Sequence, residues 1–329
     1  MHERWRGHLA SREEASALSG LTDIRLTSQM KTDVAALLAT GALPLWLDGS
    51  AKDEQYRELR TWLGTDYPDL LAAVHDLEPL LTGLRMVKQE SELEQLGKAI
   101  DLTGKGIAAM LRRLRPGLME YHLWSAFSSV LADEGCLSPA FASIVASGKN
   151  IFCLHYMTPY APINAGDLVQ VDVGAIVGGL CADISRVFPA SGRFSPRQRQ
   201  VYDIVRRCQE TAFATIRPGI TLAAINEACR ETARQGLTEA GFMREDEAVT
   251  DYFWHNVSHH LGLDVHDVSD RSAALEPGMV LTVEPGVYMP AINIGMRIED
   301  DVMVTEDGCR VLSQAIPREA WEIEALMRS

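Results

Sequence analysis

The sequence contains no Cys-X-X-Cys pair. Its six cysteines, Cys136, Cys153, Cys181, Cys208, Cys229 and Cys309, stand singly. That spacing excludes a disulfide framework and predicts reduced thiols in a cytoplasmic protein. No apolar run reaches the length of a membrane span, and the polar residues 1–11 lack a secretory apolar core. Basic residues are in deficit, 31 against 45 acidic ones, for a formal net charge of −14. Nucleic acid and anionic membrane surfaces need clustered Lys and Arg, so neither is an expected partner. A site that concentrates divalent cations suits this balance. With 47% hydrophobic and 23% charged residues over 329 positions, the composition is globular, and the length allows one large or two smaller domains.

Residues 1–84 read as a short amino-terminal α/β domain. Helical patterning at 30–38 and 54–63 surrounds one short apolar strand at 43–47, followed by a turn at Asp48-Gly49-Ser50. From residue 85 onward the texture changes. Leu93, Leu96, Ile100, Ile107, Met110 and Leu114 recur at three- and four-residue steps, which predicts one amphipathic helix ending before Pro116-Gly117. Gly97, Gly104 and Gly106 count against its continuity.

The more informative feature is an internal repeat. Leu114-Arg115-Pro116-Gly117-Leu118 returns as Ile216-Arg217-Pro218-Gly219-Ile220, and helix-period stretches follow at 121–134 and 223–240. Each half then carries a glycine, an apolar strand-like run and an acid. The first is Gly166 with Leu168-Val169-Gln170-Val171-Asp172; the second is Gly278 with Val280-Leu281-Thr282-Val283-Glu284. Two related halves of one α+β domain (85–329), each with helices and antiparallel strands, account for this better than a solenoid.

After each acid the chain turns and supplies a second one: Asp183 beyond the hairpin signal Gly178-Gly179, and Glu299 beyond Pro285-Gly286. A single Asp or Glu is usually a solvated strand end. Four of them, in register in two repeated halves within Val-rich strands, would repel one another in a core unless cations lay between them. Histidine adds to the case, because His255, His259, His260 and His266 fall within twelve residues. One imidazole with four carboxylates suits a pair of ions such as Mn²⁺, Co²⁺, Fe²⁺ or Zn²⁺ better than a structural zinc.

The set Asp172, Asp183, His259, Glu284 and Glu299 resembles the five metal ligands of the pita-bread metallopeptidases. The stretch 255–267, Val283-Glu284-Pro285-Gly286-Val287-Tyr288 and Arg297-Ile298-Glu299-Asp300 are similar to the proline-specific branch of that family, prolidase and aminopeptidase P. The resemblance implies the pita-bread fold, two pseudo-symmetric halves whose curved antiparallel sheet is covered by helices. It also implies two divalent ions, Mn²⁺ foremost with Co²⁺ or Zn²⁺ as alternatives. Asp172 would chelate one ion, Asp183 and Glu299 would bridge both, and His259 and Glu284 would complete the second. A hydroxide shared by the ions would attack the scissile carbonyl, with Glu284 accepting the proton of the water. His155 and His266 are implied as catalytic, and His255, Tyr288 and Arg297 as substrate-binding, with Arg297 reaching the carboxylate of a short substrate. The implied substrates are small peptides with proline in second position, cleaved by a homodimer. The connection from Glu284 to Glu299 favours a dipeptidase (prolidase); aminopeptidase P acting on longer peptides is the alternative. A methionine aminopeptidase-like activity and a metal-free binding protein on the same fold are weaker readings.

Overall fold

A computed structural model of the chain describes residues 3–40, 44–48 and 54–328. Leu43, Gly49 and Ser50, expected to begin the strand and form the turn after it, lie outside the described residues. The chain divides into two compact units, Met1–Leu81 and Thr82–Ser329.

The first unit holds helices α1 (Glu3–Arg6), α2 (Arg12–Ser19), α3 (Met30–Ala39), α4 (Glu54–Asp66) and α5 (Pro68–Ala72). Strands β1 (Trp46–Leu47) and β2 (His75–Asp76) pair in parallel, Trp46 opposite His75. The expected strand at 43–47 thus contributes only its last two residues to the described pairing. Helix α6 (Glu78–Met86) follows.

The second unit is built from two halves of like order. The first comprises α7 (Glu90–Arg113), α8 (Glu120–Asp133), β3 (Ile144–Ser147), β4 (Leu168–Val173), the hairpin β5 (Ile176–Val177) and β6 (Leu180–Cys181), and β7 (Ile184–Pro189). The second comprises α9 (Pro196–Thr215), α10 (Leu222–Glu239), β8 (Val280–Val283), the hairpin β9 (Gly286–Met289) and β10 (Ile294–Arg297), and β11 (Asp300–Val304). Strand β12 (Cys309–Val311) and helix α11 (Ala320–Leu326) close the chain. Sheets β3-β4-β7 and β12-β11-β8 are antiparallel throughout. Among the described residues no helix is long and apolar enough to cross a membrane.

The repeat seen in the sequence is a repeat of geometry. Gly117 and Gly219 take φ of 90° and 86°, left-handed backbone that a side chain would strain. The Gly117 amide donates to the Ile163 carbonyl and the Gly219 amide to that of Leu275; Ile163 and Leu275 donate back to Leu118 and Ile220. Each Arg-Pro-Gly turn therefore clips the start of its half to the segment leading into the central strand. Gly178 and Gly179, both at positive φ, close the β5–β6 hairpin as their sequence predicted.

Helix α7 runs unbroken through its three glycines. Gly106 is needed because α8 lies close against it: a methyl group there would collide with the buried Phe127 ring. Gly106→Ala should gain about 1 kcal/mol of helix propensity but lose more to overpacking, typically about 1–3 kcal/mol. The expected net result is a lower denaturant midpoint, and an unchanged or higher one would mean that α8 gives way freely.

Candidate functional site

Strands β4 and β7 are buried along their whole length, as are β8 and β10. Burial on both faces explains their near-continuous apolar composition, and it makes each acid among them conspicuous. Asp172 near the end of β4 pairs with Ser185 in β7. Glu284 follows β8, and Glu299 sits between β10 and β11. The two halves meet at Ser185 and Glu299. The Glu299 amide donates to the Ser185 carbonyl at 3.0 Å, and Ser185 Oγ donates to Glu299 Oε2 at 2.9 Å.

The acids are not all in register, which corrects the sequence expectation. Asp172 and Glu284 hold equivalent places, but the residue opposite Asp172 is Ser185, whereas in the other half the ladder ends with Val283 opposite Asp300, and Glu284 and Glu299 are the next residue on each strand. Asp183 lies two residues before Ser185, at the place that Arg297 holds in the other half. A period-two step keeps it on the same face, so the four carboxylates still converge. The imidazole among the acids, His259, enters from the second half. Residues 257–261 run along β8, with amides of Thr282 and Glu284 donating to carbonyls of His259 and Val257. In the first half β3 takes this place beside β4, and Ala146 stands where His259 stands.

Asp172, Asp183, His259, Glu284 and Glu299 all line one cavity of about 650 Å³. Ligand atoms of Asp183, His259 and Glu299 lie within 4.8 Å of one another. His259 Nε2 is 3.4 Å from Asp183 Oδ2 and 3.7 Å from Glu284 Oε1. Its Nδ1 donates to the His260 carbonyl at 3.0 Å, which turns Nε2 to the acids: protonated it pairs with Asp183, deprotonated it offers a lone pair to a metal. Asp172 Oδ2 accepts from Arg297 Nη2 at 2.6 Å, while its Oδ1 is buried with no partner.

Burial, and then the neighbouring carboxylates, hold Asp183, Glu284 and Glu299 above the usual carboxylate range. For Asp183 burial outweighs the opposing His259 and lifts it to about 6. Glu284 is lifted to about 7, again by burial against the pull of His259 and Arg297. Glu299 stands well above its ordinary value through burial and the charges of Asp183, Glu284 and Asp172. Burial works against the His259 cation, but the hydrogen bond to Asp183 and the charges of Asp183 and Glu284 raise it on balance. Crowded acids, an orphaned Asp172 oxygen and one imidazole nitrogen turned to them form a donor set that fits divalent first-row ions.

The sign of these shifts gives a test. A carboxyl held high in the folded state favours folding while protonated, and this contribution disappears as pH rises through the folded value. The metal-free protein should therefore lose stability between about pH 4 and about pH 7, the span between ordinary carboxylate values and those of Asp183 and Glu284. Added Mn²⁺ should remove most of that decline; melting curves with chelator and with metal would show the difference, and parallel pH profiles would contradict the shifts.

The remaining expected site residues divide into two groups. His155, His255, His266 and Arg297 line the cavity. The His266 ring meets His259 edge-on at 4.4 Å, and burial followed by the His259 charge lowers its basicity. His255 is lowered to about 4 by burial and then by Arg297, so it is neutral at pH 7. Its Nδ1 donates to the Asn256 carbonyl at 2.8 Å, and Nε2 accepts from the Tyr288 hydroxyl at 2.9 Å. Tyr288 itself does not line the cavity. It is buried behind the wall, stacked on Trp254 with ring centres 4.7 Å apart. Arg297 is also turned to the protein: besides Asp172 it donates through Nε to Ser185 Oγ and through Nη1 to Tyr288. His260 is buried and does not line the cavity.

Several supporting residues escape sequence reasoning. Asp301 Oδ2 accepts the Asp183 amide at 3.2 Å. The wholly buried pair Arg186 and Asp300, 2.8 Å apart, braces the meeting point of the halves, with Arg186 Nη1 donating to the Ser185 and Glu299 carbonyls. Buried Asp267 receives Lys88 at 3.4 Å and Arg85, and its amide donates to the His260 carbonyl, which anchors the histidine loop. Asp267 and Asp300 stand inside stretches that carry the family resemblance, and Asp301 follows Asp300, but nothing in the sequence gives their supporting role.

Residues 94–306 match metallopeptidase family M24. The chain is 37% identical over 275 residues to the Xaa-Pro aminopeptidase of Escherichia coli strain K12, covering 78% of this chain and 62% of that relative. The chain thus spans a little over three fifths of that relative's length. Over 292 residues it is 34% identical to the Xaa-Pro aminopeptidase of Haemophilus influenzae, covering 82% and 68%. Among solved structures it superposes on Pseudomonas aeruginosa aminopeptidase PepP with a TM-score of 0.91 and 32% identity, over 99% of this chain and 80% of that one. A zinc-substituted E. coli aminopeptidase P in complex with product gives 0.90 and 30%, over 99% and 80%.

Proposed function

The chain belongs to metallopeptidase family M24, whose members work with divalent metal ions, and from that premise we propose that it is a Xaa-Pro aminopeptidase. It would release the first residue of peptides that carry proline second. The observation that carries this reading is the convergence of Asp172, Asp183, His259, Glu284 and Glu299 on one cavity, in a chain similar to proteins that bear that activity in their names.

Two divalent ions, Mn²⁺ foremost with Co²⁺ and Zn²⁺ as alternatives, would be held by those five side chains and would supply Lewis acidity to the water and the scissile carbonyl. Asp172, Asp183, Glu284 and Glu299 would ligate through carboxylate oxygens and His259 through Nε2. Glu284, at the edge of that set, would accept the proton of the attacking water. Arg297 orients Asp172 through its 2.6 Å bond, and Tyr288 holds both Arg297 and neutral His255 in place. His255, His155 and His266 stand on the wall where the proline ring and the reacting carbonyl would lie. A proline imide offers no N–H, so recognition must come from such side chains and not from backbone pairing at the cut.

The dipeptidase reading assigned the carboxylate of proline to Arg297. Its guanidinium is already bonded to Asp172, Ser185 and Tyr288, which favours the aminopeptidase. The test is a side-by-side assay of the Mn²⁺-loaded protein on Gly-Pro-Ala, Gly-Pro and Met-Ala-Ser. Glycine should be released faster from the tripeptide than from the dipeptide, with methionine release negligible. Preference for Gly-Pro would restore the dipeptidase, and release of methionine would move the chain to another branch.

A further inference from the structure

One wall of the cavity takes no part in the acid cluster. It is a face of α10, where Ala223, Asn226, Glu227 and Arg230 recur at helical steps. Asn226 is 9% exposed, and its Oδ1 is sealed from solvent with no hydrogen-bond partner. Buried amide oxygens are almost always paired, so an orphan on a cavity-lining residue marks a place for a donor brought by a ligand once the amide turns to it. One turn further along the helix, Arg230 has a buried Nε that is likewise unpartnered. Arg230 also makes no ion pair among the described residues, in contrast to Arg297 and its bond to Asp172. An acceptor without a donor and a cation without an anion thus stand side by side on one rigid element.

We infer that this face is a subsite for the third residue of a peptide substrate, with Asn226 accepting that residue's backbone N–H and Arg230 pairing with a carboxylate it carries. The inference rests on the aminopeptidase reading above. Proline has no N–H, so the amide of residue three is the first backbone donor beyond the cut. A guanidinium fork is suited to a carboxylate, which residue three supplies either as the free carboxyl terminus of a tripeptide or as an acidic side chain.

The test compares four substrates of the Mn²⁺-loaded protein: Gly-Pro-Ala as free acid and as amide, and Gly-Pro-Asp-amide against Gly-Pro-Asn-amide. In at least one pair the carboxylate-bearing member should show a kcat/KM about tenfold higher, the size expected for a charged hydrogen bond, carried mainly in KM. The first pair identifies a terminal carboxylate and the second an acidic side chain. Arg230→Gln should bring the ratio close to one, and Arg230→Lys should keep part of it. An arginine of structural importance alone would depress all four substrates in parallel and leave the ratio intact. That result, or a ratio near one for both pairs in the unaltered protein, overturns the subsite. Cleavage of none of the four overturns the aminopeptidase reading and the subsite with it.

Discussion

Glu299→Ala should lower kcat by roughly a thousandfold or more, on the scale of losing a group that holds transition-state charge in place, and should deplete the purified protein of metal. Glu299 is buried at the junction of the two halves, with a carboxylate oxygen within 4.8 Å of ligand atoms of Asp183 and His259. Its carboxyl is held well above the usual range by burial and by three other acids. In the metal-free protein, removing it therefore relieves repulsion. The expected signature has three parts: no turnover, little bound metal, and a metal-free melting temperature that is unchanged or higher. A residue of purely structural importance would show the opposite, with a lower melting temperature and metal retained in the surviving fold. Asp183→Ala should behave alike. Near-normal activity with near-normal metal in either variant would remove that residue from the site.

Arg297→Met should have the largest effect on stability. Its guanidinium and Asp172 form a buried pair 2.6 Å apart. Breaking a buried pair by deleting one partner leaves an uncompensated charge, at a typical cost of about 3–5 kcal/mol. Denaturant unfolding in chelator should report a loss of that order. Adding Mn²⁺ should shrink the deficit, because a divalent ion can replace the guanidinium as the counter-charge of Asp172. Arg297→Met with Asp172→Asn should recover most of the metal-free stability and none of the activity. If the double variant is as unstable as the single one, Arg297 supports the fold through Ser185 and Tyr288 and not through Asp172.

The contrast between these two residues shows what the sequence could and could not reveal. Glu299, Glu284, Asp172 and His259 were legible because each stands in a short apolar run or a dense histidine cluster, where a charged or imidazole side chain has no ordinary reason to be. The pseudo-symmetry was legible because the Arg-Pro-Gly turn must keep a glycine at positive φ in both copies. Partnership across the halves was not. Arg297 and Asp172 are far apart in the chain, and no local pattern says that the guanidinium is bonded inward and unavailable to a substrate carboxylate. Tyr288 looked like a wall residue from its motif, whereas the stacking of Trp254 and the bond to His255 place it behind the wall. Helix α9 carries its apolar stripe, including Val201, Val205 and Ala212, between charged and amide residues, which hides the helical period in the sequence. The glycines of α7 suggested a break because propensity is local, while their reason, the Phe127 ring, comes from another helix.

The most direct test of the whole account is equilibrium dialysis of the unaltered protein against Mn²⁺, with bound metal counted per chain and the same samples assayed on Gly-Pro-Ala. Two ions per chain, with glycine release rising as the sites fill and abolished by chelation, is the predicted result. Glycine release at full rate from protein that binds no divalent ion would contradict it.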